Sequence, residues 1–455
     1  MDIQIRLPEK VRFIINELEN AGHEAYAVGG CVRDSILGRI PDDWDITTSA
    51  TPMQVKEVFP RTIDTGIQHG TVTVMLDKDG FEVTTYRIDG EYEDSRHPKE
   101  VIFTSNLVED LKRRDFTINA MAYNDRAGLI DVFDGMLDIK RRCIRCVGKA
   151  EERFTEDALR IMRAVRFSAQ LGYEIEEDTK KAISLIAPNL KNISAERIQV
   201  ELIKLLKSPH PDYLRVAYET GITRMMLPEF DRAMSMEQNN PHHQYTVGEH
   251  TLQCLLSVPA DKSLRLAALL HDLGKVETKS TDSEGIDHFY GHADVSEKMA
   301  VTILRRLKMD NDTITRTSKL IKYHDYNIEP NRRAMRRAIN KIGEEYMEDL
   351  FRLKEADMLA QSLYEREQKE QLLKDLKQLY REVLEAQECV SLKTLAVNGK
   401  DLIEAGIKPG KQLGVILNGM LQDVLDEPSH NNADYLMEHM EEFALADGIV
   451  HRQCH

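Results

Sequence analysis

The sequence predicts an α+β protein, with a strand-bearing head at the amino end followed by an all-α body. Three observations carry this. Segments that alternate apolar and polar residues, such as GTVTVML (70–76) and FEVTTYR (81–87), are confined to residues 25–147. Beyond residue 150 the apolar positions recur at helical spacing, as in SAERIQVELIKLLKS (194–208) and the charged run 365–388. At 455 residues the chain has room for several domains, and no internal repeat or low-complexity tract interrupts it. The expected divisions are 1–150, 151–240, 241–364 and 365–455, with MEQNNPHHQ (236–244) carrying the best linker composition.

In order, residues 1–20 read as a helix, with Val11, Ile14, Ile15 and Leu18 on one face. A short apolar run, Ala25 to Val28, opens the sheet region, and Asp77–Gly80 joins a hairpin. Thr155 reads as a helix N-cap followed by Glu156 and Asp157 in the first turn. Near the carboxyl end, Gly406, Pro409 and Gly410 break a helical pair over 395–425.

Hydrophobic content of 42% and charged content of 30% are those of an ordinary globular protein. No apolar run is long enough to span a bilayer, and the amino terminus lacks a secretory apolar region, so no membrane partner and a cytoplasmic location are expected. The six cysteines are scattered, and the pair Cys143 and Cys146 has no second pair at zinc spacing, so these read as reduced thiols. A net charge of −16 argues superficially against nucleic acid, but basic clusters at Lys112–Arg114, Lys140–Arg145 and Arg332–Arg337 leave room for an RNA-binding face.

The densest chemistry lies in AYAVGGCVRDSILGRIPDDWDITT, residues 25–48. Gly29 and Gly30 follow the apolar run and let backbone amides approach phosphates. Arg33 lies just beyond. Asp43 and Asp45 are two apart, and strand side chains at that spacing share a face. Convergent carboxylates suit Mg²⁺, which can activate a hydroxyl and stabilise leaving pyrophosphate. A lone Asp-x-Asp is usually a solvated turn; the glycine pair and the arginine favour the catalytic reading.

This segment resembles the signature of the polymerase β-like nucleotidyltransferases, and most of all the branch that holds class II tRNA nucleotidyltransferases (CCA-adding enzymes) and bacterial poly(A) polymerases. The resemblance implies a head with a mixed β-sheet, catalytic Asp43 and Asp45 binding Mg²⁺, and Gly30 and Arg33 at the nucleotide. Such sites usually recruit a third carboxylate from a neighbouring strand, for which Glu82 is the candidate. LVEDLKRRDFTINAMAYN (107–124) nearly repeats the family's RRD motif, and by that match Arg114 contacts the incoming nucleotide. The polar segment 87–101 occupies the position of a family loop that enzymes adding only C tend to lack in part, and here it is intact.

FTEDALRIMRAVRF (154–167) matches the family's EDxxR motif. Asp157 and Arg160 are three apart, hence on one helix face. A carboxylate accepts from an exocyclic amine while arginine donates to a ring nitrogen, a pattern shared by cytosine and adenine and reversed in uracil and guanine. The pair would therefore admit CTP and ATP. By the same match Arg163 and Arg166 belong to the nucleotide pocket, although helical rotation turns Arg166 away toward a phosphate or structural role.

A second constellation runs from 250 to 357: His250, the adjacent His271 and Asp272, His292, His324 beside Asp325, and Asp357. Histidines and aspartates on separate helices around an apolar AALL run point to a metal site. The series resembles the HD phosphohydrolase superfamily. That resemblance implies His250, His271, Asp272 and Asp357 as ligands of a transition metal, with His292 and His324 available to a second ion or to phosphate; a decayed structural remnant is the alternative.

The expected function is template-independent addition of C, C and A to the 3′ end of tRNA from CTP and ATP. An A-adding specialist and a poly(A) polymerase share every head motif. A different class of reading makes the HD region the working part, a phosphohydrolase of RNA ends or nucleotides. The sequence fixes neither the HD metal nor an oligomeric state.

Overall fold

The computed structural model describes residues 3–90 and 101–445. Most of the 87–101 loop therefore lies outside the described residues. The chain divides into two compact units, Met1–Asp231 with Arg306–Lys308, and Arg232–Arg305 with Met309–His455.

In the first unit a helix over Glu9–Asn20 buries Val11, Ile14, Ile15 and Leu18, as its spacing predicts. It shares one core with Ala25, Ala27, Ile46, Val72, Val74 and Val83 of the sheet. The strands are β1 (Ala25–Val28), β2 (Ile46–Thr48), β3 (Thr62–Gly66), β4 (Thr71–Leu76), β5 (Asp79–Thr85), β6 (Arg87–Asp89), β7 (Val101–Phe103), β8 (Met121–Asn124) and β9 (Gly128–Asp131). A seven-stranded sheet runs β3-β4-β5-β2-β1-β8-β9, with β6 and β7 forming a separate ribbon. Its pairs are antiparallel except β2 with β5, so the sheet is mixed.

The β4–β5 hairpin is tighter than the sequence suggests. Leu76 pairs with Asp79, which leaves Asp77 and Lys78 as the turn, and Asp77 adopts a φ of 58°. Val72 and Val74 face the core while their neighbours do not, the alternation the sequence shows.

Behind the sheet come helices over Ala150–Glu156, Leu159–Leu171, Glu177–Ile186 and Ala195–Leu206. Thr155 does not cap a helix. It lies within Ala150–Glu156 and its hydroxyl bonds back to the Glu151 carbonyl at 2.7 Å.

The second unit is helical. Helices Val247–Ser257 and Glu344–Ala360 carry His250 and Asp357, His271 and Asp272 follow Lys262–Leu270, His292 begins His292–Arg306 and His324 follows Asn311–Tyr323. Arg366–Glu385 is the long charged helix, and a small carboxyl-terminal core gathers Leu402, Ile416, Met420, Val424 and Leu436. The basic run at Arg332–Arg337 is largely consumed within this unit. Arg333 and Arg337 both fork onto Asp426 at 2.6–2.8 Å, and Arg336 pairs with Glu388 at 2.6 Å. As an RNA face it is thus heavily discounted.

Cys143 and Cys146 are unpaired, and burial pushes both thiols up. Among the described residues no helix is long and apolar enough to cross a membrane.

Candidate active site and candidate metal centre

In the head the glycine turn is built for close approach. Gly29 has φ 86° and ψ −129°, and a Cβ there would lie 2.8 Å from Nη1 of Arg114. Gly30 starts the short helix Gly30–Ile36, and a Cβ on it would make only an ordinary 3.7 Å contact with Arg33. The steric demand sits on Gly29.

Asp43 and Asp45 lie in the loop that enters β2 rather than on the strand. Asp45 still extends the ladder, because its carbonyl accepts the Val28 N–H at 3.0 Å. Alternation therefore places Asp45, while the loop places Asp43. Both residues are exposed. The parallel register pairs Ile46 with Val83, which brings Glu82 of β5 alongside Asp45. Burial raises the Glu82 carboxyl, and the charges of Asp45 and Asp43 raise it further. Desolvation also raises Asp45, with Arg114 pulling the other way and Asp43 adding to the rise. Asp45 and Glu82, both raised, are neighbouring carboxylates across the β2–β5 pair.

The Arg113–Asp115 turn links this site to the helices behind. Arg114 is 19% exposed at its side chain, lies 3.9 Å from Asp110, and its Nε makes no hydrogen bond. Burial lowers its pKa. Asp115 faces the opposite way, accepting from Arg163 Nε at 2.8 Å and Asn119 at 3.2 Å. Burial opposes the Asp115 charge, but the Arg163 and Arg160 guanidiniums outweigh it and hold the carboxyl well below its usual range.

Asp157 and Arg160 do not share a helix face. The chain breaks at Asp157, whose φ and ψ are −142° and 102°, and the next helix starts at Leu159. Asp157 caps that helix: Oδ1 accepts the Leu159 N–H at 3.1 Å, and Oδ2 accepts Arg197 at 2.7 Å. Arg160 donates to Glu156 at 2.6 Å and to the carbonyls of Arg153 and Arg113. Both ends of the pair are thus held rigidly, with 16% and 12% of their side chains exposed.

Two other arginines are more committed to packing. Arg33 forks onto Asp34 at 2.9 Å, donates to Asn119 at 2.5 Å, and lies 5.0 Å from the Phe167 ring. Arg166 is buried on Phe167 at 3.7 Å and bonded to Glu201 at 2.6 Å, in line with a structural role. Glu201 and Asp110 are buried anchors that the sequence does not flag, since each looks like one more acid in an amphipathic run.

The second unit gathers its histidines. Ligand atoms of His250, His271, Asp272 and Asp357 lie within 4.8 Å of one another, as do those of Asp272, His292 and His324. Asp272 bridges the two groups. Among the described residues no other three such side chains come so close.

Each histidine turns Nδ1 to a backbone carbonyl: His250 to Ala360 (3.3 Å), His271 to Ala268 (2.9 Å), His292 to Phe289 (2.9 Å) and His324 to Ile321 (2.7 Å). A carbonyl only accepts, so each Nδ1 carries a proton and every Nε2 is turned inward, that of His250 to within 2.8 Å of Asp357 Oδ1. His292 Nε2 and His324 Nε2 face each other at 3.1 Å, a spacing that one shared proton or one ion can satisfy. His271 Nε2 and Asp272 Oδ2 make no hydrogen bond. Lys275 lies 2.8 Å from Asp272 Oδ2, out of hydrogen-bond alignment. Burial opposes charge on His271, yet Asp272 and Asp357 raise its pKa to about 10. The donor set fits a transition metal.

The segment 236–244, read as linker, instead lines this centre. Asn240, His242 and His243 wall the cleft above it, and Lys275 approaches His243 at 3.4 Å. Burial and then the Lys275 charge push the His243 pKa down to about 3.

Comparison with known proteins gives three family models: the poly A polymerase head domain over residues 25–145, the probable RNA and SrmB-binding site of polymerase A over 172–234, and a putative tRNA nucleotidyltransferase domain 2 over 278–440. The chain is 38% identical over 431 residues to a CCA-adding enzyme of Lactiplantibacillus plantarum, covering 93% of this chain and 94% of that one. A CCA-adding enzyme of Leuconostoc mesenteroides is 56% identical over 193 residues, 42% of this chain and 48% of that relative. Among solved structures, the Bacillus stearothermophilus CCA-adding enzyme in complex with CTP superposes with a TM-score of 0.73 at 31% identity, covering 96% and 99% of the two chains.

Proposed function

The chain belongs to the CCA-adding enzymes, nucleotidyltransferases of the polymerase β-like fold, and from that premise we propose that its head adds C, C and A to the tRNA 3′ end from CTP and ATP. The observation that carries the site assignment is the parallel register that sets Glu82 beside Asp45, with Arg114 behind Gly29. Asp43 and Asp45 would hold Mg²⁺, with Glu82 beside them, because all three offer hard oxygen donors. Bound there, the ion supplies positive charge for the attacking hydroxyl and for the leaving pyrophosphate. The tRNA 3′-oxygen bonds to the α-phosphorus as the α–β phosphoanhydride breaks. Arg114, whose Nη1 faces Gly29, offers its guanidinium to the triphosphate.

Asp157 and Arg160 read the base. Asp157 is fixed by Leu159 and Arg197, and each of its oxygens keeps a lone pair for an exocyclic amine. Cytosine and adenine satisfy that acceptor; uracil and guanine leave it facing a carbonyl. Residues 1–150 serve as catalytic head and 151–231 as neck; the HD domain runs from Arg232, because 236–244 lines its centre, to about 364, and 365–455 serve as tRNA-binding tail, in a protein of the cytoplasm. The test is to incubate the protein with tRNA lacking CCA, lacking only A, or complete, with each nucleoside triphosphate, and to size the products. Extension by A alone on tRNA ending in CC assigns an A-adding specialist, and long homopolymers assign a poly(A) polymerase.

A second reading is favoured by the facing Nε2 atoms of His292 and His324. His250, His271, Asp272 and Asp357 would hold one transition-metal ion, and Asp272 with His292 and His324 a second. Such ions supply Lewis acidity toward water and a phosphate oxygen. The centre then hydrolyses phosphoesters, and a 2′,3′-cyclic phosphate at a damaged RNA end is the economical substrate, because it blocks the hydroxyl the head requires. Hydrolysis of such an ester by nickel- or manganese-loaded protein tests this; its absence with every such metal leaves the domain a structural remnant.

A further inference from the structure

The cleft above the second centre has a volume of about 650 Å³, far more than a phosphate group fills and typical of a pocket for a small organic ligand. Its floor is polar, with Asp272, His292, His324 and Asp357. One stretch of its rim is aromatic. Tyr290 is 78% exposed, and its ring lies parallel to that of His288 within 5°, with centroids 5.4 Å apart. What sets Tyr290 apart from other exposed rings is its place in the lining of this cleft, beside His288 and Phe289.

The rim is also held firmly. Asp282 fixes His288 through Nε2 at 2.8 Å. Asp287, buried beside it, accepts the Asn239 N–H at 2.7 Å, the Thr281 hydroxyl at 2.7 Å and lies 2.8 Å from Lys279 Nζ. Three partners from two chain segments therefore position the residues that carry the two rings. A rigid aromatic surface over a phosphate-type floor matches one kind of molecule, in which a planar base is joined to a phosphoester.

We propose that Tyr290, backed by His288, is the base platform of the second centre, and that its ligand is a nucleoside phosphoester with the phosphate at the histidine–aspartate floor and the base on the Tyr290 ring. This rests on the metal-centre reading above and gives it a positioning residue. The base contact needs only the ring face; the Tyr290 hydroxyl reaches His288 Nδ1 at 3.4 Å and belongs to the mount, so Tyr290→Phe keeps the ring face and Tyr290→Ala removes it.

The test is calorimetric titration of the manganese-loaded full chain with adenosine 3′-monophosphate and with inorganic phosphate, in the wild type and both variants. The nucleotide is expected to bind at least about tenfold more tightly than phosphate, the scale of one stacked base. Tyr290→Ala abolishes that advantage, Tyr290→Phe retains it, and phosphate affinity stays the same in all three. A short oligoribonucleotide ending in a 3′-phosphate, titrated alongside, separates the sources: binding with the same Tyr290 dependence assigns an RNA terminus, and no binding assigns a free nucleotide. Elemental analysis of the same samples reads the underlying centre on its own. A wild-type protein that takes up no manganese overturns the centre, whereas a loaded protein whose nucleotide affinity ignores Tyr290 overturns only the platform.

Discussion

The head and the second unit both assemble side chains suited to cations, and they do so in opposite ways. In the head, Asp43 and Asp45 stand exposed on a loop and Glu82 on a neighbouring strand, joined by field rather than by contact. In the second unit, His250, His271, Asp272, His292 and His324 are buried, and each imidazole is locked by a carbonyl before any ion arrives. An open carboxylate group suits an ion that comes and goes with its nucleotide. A buried one with its second layer complete suits a resident ion, since orphaned donors there have no water to fall back on.

The largest effect that can break this contrast is in the head. Asp43→Ala or Asp45→Ala should cut CTP incorporation into tRNA at least about a thousandfold, the scale of losing metal-based charge stabilisation, with tRNA affinity nearly unchanged in a filter-binding assay. Near-normal turnover in either variant removes the carboxylates from the mechanism. The mirror experiment is His271→Ala combined with Asp272→Ala. It should abolish tightly bound transition metal and phosphodiester hydrolysis while CTP incorporation persists. Loss of incorporation would make the second unit a structural support for the tRNA-binding body.

Smaller effects sharpen the comparison. Asp157→Ala should reduce discrimination against UTP about a hundredfold if a buried polar match selects the base, and an unchanged preference leaves Asp157 as a helix cap only. Glu82→Gln should raise the Mg²⁺ concentration needed for half-maximal incorporation, with about a tenfold loss of rate at low Mg²⁺; an unaltered Mg²⁺ profile reduces Glu82 to a strand surface residue. The last test concerns pH. Asp115 has a depressed native pKa, so its pair with Arg163 stabilises the head above the ordinary carboxylate range and is lost as pH falls through the native value. Asp115→Asn should therefore cost about 3 kcal/mol at pH 7 by urea unfolding and flatten the acid limb below about pH 4.

Much of this was legible because local physics carried it. The helix at Glu9–Asn20, the β4–β5 hairpin and the helix at Ala195–Leu206 follow from periods of 3.6 and 2 in apolar residues. The glycine pair, the alternate aspartates and the histidine series announced their chemistry by residue type and spacing. Spacing misled where the chain broke or where distant acids intervened. Asp157 and Arg160 sit at i and i+3, yet a helix break at Asp157 removes the shared face. The arginines at 332–337 read as an RNA patch until Asp426 and Glu388 close on them from some fifty to ninety residues away.

The sequence by itself determined the family, the α+β division and the residue types at both sites, because those rest on patterns within a few turns or strands. Tertiary structure alone decided that Glu82 lies beside Asp45, that Asp272 is shared by two groups of ligands, and that Tyr290 lines the same cleft as they do. Each depends on register between strands or on packing between helices far apart in the chain, and no local periodicity encodes either.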